Sequence, residues 1–127
     1  MCFLLTLIVM CQMSISKTLR LMDDMDGDVY YLIVESKKTI APDLYTFKTI
    51  TNFKNPQSQG YRSAVSKYLI NCRIARIGYL DWWTYAKPMG KGKRIDHDPG
   101  NHFEDIKDDP RHLEFLRIFC PEYEYHL

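Results

Sequence analysis

The sequence has no uninterrupted run of about 18 apolar residues, which is the length a transmembrane helix needs. It also has no excess of one charge: 17 Lys and Arg against 16 Asp and Glu give a formal net charge of +1. A protein dedicated to nucleic-acid binding usually carries a large basic excess, so no nucleic-acid partner is expected. Repeats and low-complexity tracts are absent as well.

The chain does contain enough apolar sequence for one packed domain. Its 127 residues are 46% hydrophobic and 26% charged, a balance that disfavours wholesale disorder. Aromatic residues make up 13%, with nine tyrosines among them. This composition indicates a folded domain but does not identify a function.

Residues 1–16 contain no Asp, Glu, Lys or Arg, and Cys2 to Met13 is almost entirely apolar. This run has the length of a signal-peptide core, and Ser14-Ile15-Ser16 supplies the small residues that a signal peptidase reads. We therefore predict a signal peptide at 1–16 and a domain at 17–127, although the leader lacks its usual basic residues. The alternative is a buried first strand.

Cys11 follows Ile8-Val9-Met10, which resembles the lipidation motif of bacterial lipoproteins. A small residue is expected immediately before the modified cysteine, and Met10 is not small. Lipidation of Cys11, and with it a lipid anchor, is therefore the less favoured alternative.

Two cysteines, Cys72 and Cys120, remain in the chain after the predicted leader. An even pair in an exported protein is expected to form a disulfide. Such a bridge, 48 positions long, would add on the order of 4 kcal/mol by loop closure. Two free buried thiols are the alternative if the protein is not exported. A zinc site is disfavoured because neither cysteine has a second one nearby.

Alternating apolar and polar residues, separated by turn sequences, predict antiparallel strands along most of the chain. Asp26-Gly27 predicts a two-residue hairpin turn, Gly78 a kink, and 93–95 a short edge strand. The main predicted strands are 17–22, 28–35, 44–53, 62–72 and 74–85.

Near the end of the chain, the spacing of the apolar residues changes from that of a strand to that of a helix. Asp109 suits an N-cap and Pro110 the first turn, while Leu113, Leu116 and Phe119 recur at helical spacing before Pro121. We therefore predict an α+β fold, in which a single antiparallel sheet of five to six strands is covered by a C-terminal helix that a disulfide tethers.

Short motifs in a fixed order resemble the surface-adhesin protein E family of Gram-negative bacteria. They are Asp26-Gly27 followed by Tyr30-Tyr31, Tyr61-Arg62-Ser63, Tyr68-Leu69-Ile70-Asn71-Cys72, Tyr85 leading to Met89-Gly90-Lys91-Gly92, and the helix ending in Cys120. The resemblance implies an exported domain located in the periplasm or at the outer membrane. It also implies adhesion to host extracellular-matrix or plasma proteins, and it allows for a homodimer.

The residues give little support for metal or catalytic chemistry, so we predict no metal, no cofactor and no enzyme activity. The group formed by 96–98, His102, Glu104 and Asp105 fits a solvated acidic loop better than a metal site, since it lacks helical ligand spacing. Asp24 and Asp26 resemble part of a calcium loop, but a hairpin turn is favoured. No nucleophile has a base at a recognisable spacing.

An aromatic stretch followed by a basic one is the candidate binding surface. On a strand, Trp82 and Trp83 point to opposite faces, so at least one is accessible unless both faces are covered. Such a stretch suits a protein, glycan or anionic polymer partner; the alternative is one core aromatic, one rim aromatic and a solvated turn. The candidate partner-binding residues are Trp82, Trp83, Tyr85, Lys87, Lys91, Lys93 and Arg94.

These observations favour an exported binding protein of the bacterial envelope, adhesin-like and non-catalytic, with a protein or glycan partner. A periplasmic structural or assembly factor that pairs through a free sheet edge is the second hypothesis. An unrecognised enzyme, using His97 or His102 beside a carboxylate, is the third.

Overall fold

The computed structural model describes residues 17–106 and 109–122. In that part of the chain, each strand pairs antiparallel with the next one, and a helix follows the last strand. This arrangement confirms the predicted fold class and the number of strands. The elements are β1 (Thr18–Asp23), β2 (Val29–Ala41), β3 (Leu44–Asn52), β4 (Ser63–Asn71), β5 (Arg76–Lys87), β6 (Lys91–Asp105) and α1 (Pro110–Phe119).

The predicted signal peptide at 1–16 and the lipidation candidate Cys11 lie outside the described residues, so both stay predictions. Within the described ranges, no helix is both long enough and apolar enough to cross a membrane.

The loop between β1 and β2 is longer than predicted. Asp23 pairs with Val29, which leaves 24–28 as a five-residue connection rather than a two-residue turn. The Asp24 carboxylate accepts hydrogen bonds from the backbone N–H groups of Asp26 and Asp28, at 2.9 and 3.0 Å. Gly27 has a φ of 87°, a conformation that glycine adopts without strain. The hairpin is confirmed, whereas its predicted turn type is wrong because an Asx turn replaces it.

β6 corrects two predictions. It runs from Lys91 to Asp105, so 96–98 and His102 belong to a strand and not to a solvated loop, and the short edge predicted at 93–95 is much longer. Charged residues and Pro99 made this segment resemble a loop. Both are tolerated because β6 is an edge strand with one side unpaired in the described sheet.

The core lies on one face of the sheet, the helix face, where large apolar side chains meet α1. Phe47 of β3 is fully buried, and its ring centroid lies 4.8 Å from that of Phe115 and 4.3 Å from that of Phe119. Tyr68 of β4 stacks against Phe47 from the other side at 5.3 Å. The helical spacing of Phe115 and Phe119 therefore brings both rings onto one aromatic cluster.

A disulfide between Cys72 and Cys120 fixes the end of α1 to the sheet, as predicted. The S–S distance is 2.04 Å, the Cα atoms are 5.5 Å apart, and both residues are buried. At the other end of the helix, Asp109 is the N-cap and accepts a hydrogen bond from the backbone N–H of Arg111. The predicted helix boundaries are thus confirmed.

Side-chain size divides the helix face into two halves. Large residues such as Phe47 and Ile70 lie under α1. Beyond the helix, the same face carries smaller side chains, including Thr51, Ala64 and Ser66. A helix of ten residues spans about 15 Å, so it covers only one half. The other half is left as a concave surface.

Candidate functional site

The concave half of the helix face is a cleft of about 570 Å³. Thr51 and Ser66 lie on its floor, and the start of α1 contributes Arg111 to its wall. Pro99 and Gly100 bring β6 to its rim. We call this site the aromatic cleft, after five of the residues that line it: Tyr30, Phe53, Tyr68, Tyr79 and Trp82.

Trp82 enters the cleft because it is on the helix face of β5, directly opposite Ser66 of β4. Its indole ring meets the ring of Tyr61 edge-to-face, with centroids 5.9 Å apart and planes at 90°. Tyr61 in turn contacts Phe53 at 5.5 Å. This edge-to-face chain holds the indole in place, and Trp82 remains partly exposed.

A hydrogen-bonded network fixes the polar wall of the cleft. Arg111 donates through Nε to Oδ1 of Asp109 at 3.1 Å and through Nη2 to Oδ2 at 2.6 Å. It also donates through Nη1 to the Tyr30 hydroxyl at 3.3 Å, and its guanidinium carbon lies 5.3 Å from the centre of that ring. The Tyr30 hydroxyl donates to Asp24 at 3.0 Å. The guanidinium is therefore oriented without a ligand.

The pKa shifts follow from this network. The hydrogen bond to Asp109 raises the pKa of Arg111, and the same contact lowers the pKa of Asp109. Burial, followed by the hydrogen bond to Asp24, raises the pKa of Tyr30. Burial alone would raise the pKa of Asp24, but its hydrogen bonds from Asp28, Tyr30 and Asp26 outweigh that and lower it. At neutral pH the wall is thus the Arg111 cation, bound by the Asp109 carboxylate and by the neutral Tyr30 phenol, which in turn donates to the Asp24 carboxylate.

Two tyrosines form the boundary between the cleft and the core. The Tyr68 hydroxyl donates to the Tyr79 hydroxyl at 3.0 Å, and their rings are 4.6 Å apart. Burial raises the pKa of Tyr68 well above its usual value, and the nearby Tyr79 adds to this shift. The Tyr68 phenol therefore stays neutral and contributes a hydrogen bond rather than a charge.

The predicted partner-binding residues do not form one surface. Trp82 lines the cleft, whereas Trp83 lies on the opposite face of the sheet, as strand alternation predicts. We call that opposite face the far face; Lys48, Lys67 and His97 are also on it. Tyr85 and Arg94 pair with each other in β5 and β6 beside Trp83. The three remaining residues, all exposed, lie near the turn between these strands: Lys87, Lys91 and Lys93.

Trp83 is enclosed by charged and aromatic neighbours on the far face. Its ring stacks on that of His97 with centroids 5.2 Å apart and planes at 10°. The Lys48 ammonium lies 5.3 Å from the ring centre and the Arg94 guanidinium 6.0 Å. His97 also hydrogen-bonds to Asp81 at 2.8 Å. These contacts place cations on the Trp83 side of the sheet.

One group of potential metal ligands comes together at the start of α1, and sequence analysis missed its central residue. The ligand atoms of Glu104, Asp109 and His112 lie within 4.8 Å of one another. His112 is 1% exposed, and burial lowers its pKa. Asp109 already holds Arg111, which leaves the group without a free carboxylate pair. His112 had no distinguishing signal, because a polar residue near a helix start is usually solvated.

The two histidines considered for catalysis, His97 and His102, are both exposed. Each has a carboxylate beside it, Asp81 for His97 and Glu104 for His102. His102 lines the mouth of the cleft together with Asp98. Within the described part of the chain, no serine or cysteine hydrogen-bonds to either histidine.

Comparison with known proteins identifies the family. The family model described as surface-adhesin protein E matches residues 19–121. No curated protein sequence matches the chain significantly.

Solved structures of Haemophilus influenzae protein E share the fold. Crystal form II has a TM-score of 0.64 and 20% identity over 84% of this chain and 88% of that one. The selenomethionine form has a TM-score of 0.65 and 19% identity, covering 84% and 87%. Protein E from non-typeable Haemophilus influenzae has a TM-score of 0.63 and 18% identity, covering 84% and 76%. The family model covers most of the sequence, and the chain belongs to the surface-adhesin protein E family.

Proposed function

We propose that the chain is an exported, adhesin-like protein of the bacterial envelope that recognises a protein or glycan partner without converting it. Membership in a family of surface adhesins supports an exposed location and a binding role. The family alone does not define a partner, so the proposal depends on the geometry of the site.

The aromatic cleft is the observation that carries the proposal. Recognition sites combine a concave shape, aromatic side chains and a few polar groups of fixed orientation. Trp82 supplies a partly exposed aromatic surface, and Arg111 supplies a guanidinium that Asp109 and Tyr30 already orient. A preorganised side chain loses little freedom on binding, which favours affinity.

Neighbouring tryptophans provide a matched test of the cleft. Trp82→Ala and Trp83→Ala remove the same side chain at adjacent positions, but on opposite faces of the sheet. The purified protein is tested for binding to immobilised extracellular-matrix proteins and to an array of neutral glycans. We expect Trp82→Ala to weaken binding by at least tenfold and Trp83→Ala to leave it nearly unchanged. Circular dichroism and melting temperatures establish that both variants fold.

A loss of binding confined to Trp83→Ala would contradict the proposal that the aromatic cleft is the binding site. Equal losses of binding in both variants would show that neither face binds the ligand specifically. Failure of the wild-type protein to bind any of these ligands would remove the adhesin role.

A long unpaired edge favours one second candidate, a structural or assembly factor of the envelope. β6 has 15 residues and pairs on one side only in the described sheet. An exposed edge can receive a strand from another chain. Crosslinking in cells from Lys91 or Lys93 would recover an envelope protein of the same bacterium in that case, and matrix proteins would not bind.

A further inference from the structure

Two lysines on the far face are placed where a sheet would normally avoid them. Lys48 of β3 and Lys67 of β4 are directly opposite each other in the antiparallel register. Like charges in this position destabilise a sheet. Both lysines are half-buried.

No acidic side chain in the described residues forms an ion pair with either lysine, although two carboxylates are nearby. Glu35 accepts a hydrogen bond from the backbone N–H of Lys17 at 2.6 Å. Asp81 pairs with Lys67 in register, but its carboxylate hydrogen-bonds to His97 at 2.8 Å. Glu35 nevertheless lines the same concavity as the two lysines, although lysines outnumber carboxylates there.

A third lysine joins the pair around this concavity. Lys38 is on β2, and the pairing of β2 with β3 is irregular between Ile33 and Lys38. Within this irregular segment, the Ser36 hydroxyl accepts a hydrogen bond from the backbone N–H of Lys48 at 2.7 Å. Lys38, Lys48 and Lys67 together line a cleft of about 370 Å³, which we call the lysine cradle. Three adjacent strands, β2, β3 and β4, therefore each contribute one lysine to the same concavity.

An aromatic surface adjoins the cradle. The Lys48 ammonium lies over the Trp83 ring, and Arg94 approaches the same ring from β6. Arg94 therefore adds a cation beside the cradle, and this arrangement suits a sugar chain that carries anionic substituents. Because the cradle is concave, it admits a narrow chain more readily than the flat surface of a bilayer.

We propose that the lysine cradle binds a sulfated polysaccharide, with sulfate groups received by Lys48 and Lys67. A sulfate ester would relieve the repulsion between the two ammonium groups and offers each of them oxygen acceptors. The cradle is on the opposite face from the aromatic cleft, so the two proposals can fail independently.

The test uses heparin oligosaccharides of defined length and two double variants of the full chain. K48Q/K67Q removes the opposed charges of the cradle. K37Q/K54Q removes the same number of charges from exposed positions that do not line the cradle and is the matched control. We expect K48Q/K67Q to weaken heparin binding by at least tenfold and K37Q/K54Q to change it less than twofold, as measured by calorimetry at physiological salt.

Stability provides a second readout. K48Q/K67Q removes a like-charge pair, so its melting temperature should equal or exceed that of the wild type. A weakened affinity therefore cannot be attributed to unfolding.

Several outcomes would overturn the proposal. Equal losses in both double variants would indicate attraction by overall charge rather than by a site. Desulfated heparin binding as tightly as heparin would exclude sulfate recognition. Binding to phosphatidylglycerol vesicles, without binding to heparin, would assign the lysines to a membrane surface. A Trp82→Ala variant should bind heparin normally, and a loss there would place the ligand in the aromatic cleft.

Discussion

Phe103 of β6 lies across Gly78 of β5, with no room for a side chain beneath it. The two residues are opposite each other in the antiparallel register. A Cβ atom added to Gly78 would lie 2.2 Å from Cε1 of Phe103. Because Gly78 has no side chain, the phenyl ring covers the backbone of β5 and anchors the edge strand. The glycine at which the sequence predicts a kink thus serves as a contact surface.

Replacing Gly78 with alanine should destabilise the protein by about 1–2 kcal/mol, since the Phe103 ring must move. Without that contact, alanine would stabilise a strand by roughly 0.5–1 kcal/mol. Urea unfolding of Gly78→Ala, Phe103→Ala and the double variant measures the coupling. The double variant should be less destabilised than the sum of the two single ones. A stabilising Gly78→Ala would contradict the contact.

Removal of the buried disulfide should be a costly change. Replacing Cys72 and Cys120 by alanine is expected to lower the free energy of unfolding by about 4 kcal/mol, the loop-closure value for a separation of 48 residues. Guanidinium unfolding with and without reductant checks this value. Reductant should destabilise the wild type to the level of the variant and have no effect on the variant itself. If the reduced wild type kept its stability, the tether would contribute nothing.

The predicted parts of the fold are those with strong local signals. The boundaries of α1 follow from the Asp109 cap and from the spacing of its apolar residues, both of which depend on neighbouring residues only. Only 93–95 of β6 was predicted, because the charged residues and Pro99 that follow have low strand propensity. They are tolerated at an edge, and edge position depends on the topology of the whole sheet.

The site was predictable only in part. Alternation correctly separates Trp82 from Trp83. The aromatic cleft itself depends on how far α1 extends over the sheet and on small residues in three strands, which no local pattern reveals. The pairing of Lys48 with Lys67 depends on the register between β3 and β4, and that register is set by the hydrophobic patterns of the two strands and by their connection at 53–62.

Stability should fall as the pH is lowered through the range in which His112 would titrate. Burial lowers its pKa below the ordinary value of 6.5, and Arg111 lowers it further, while Asp109 and Glu104 oppose the shift. The unfolded chain therefore binds a proton at a higher pH than the folded one. The His112 contribution is complete above about pH 6.5 and is lost as the pH falls below that value.

The measurement is urea unfolding of wild type and His112→Phe between pH 8 and pH 5. The aromatic neighbours of His112 are Tyr68, Tyr79 and Phe115, and a phenyl ring can pack against them. Uptake of one proton changes the free energy of unfolding by at most about 1.4 kcal/mol per pH unit. In His112→Phe, the dependence of the free energy of unfolding on pH should be weaker by the part that His112 contributes in the wild type. Identical slopes in the two proteins would show that another group titrates.

Asp109 combines two roles that two substitutions can separate. It is the N-cap of α1, and it also holds the Arg111 guanidinium. Serine caps a helix about as well as aspartate but cannot hold the guanidinium, whereas alanine does neither. Asp109→Ala should therefore be about 1 kcal/mol less stable than Asp109→Ser, as measured by thermal or urea unfolding at pH 7.

The charge on Asp109 adds a pH signature to the same comparison. Its pKa is lowered in the folded state, chiefly by Arg111, so its contribution is present above its ordinary value of 3.8 and is lost as the pH falls through the folded-state value. The stability gap between wild type and Asp109→Ser should therefore narrow below about pH 4. The gap between Asp109→Ser and Asp109→Ala should stay constant, because neither residue titrates. If the first gap stayed constant too, the carboxylate would act only as a helix cap, and Arg111 would owe its position in the cleft to Tyr30.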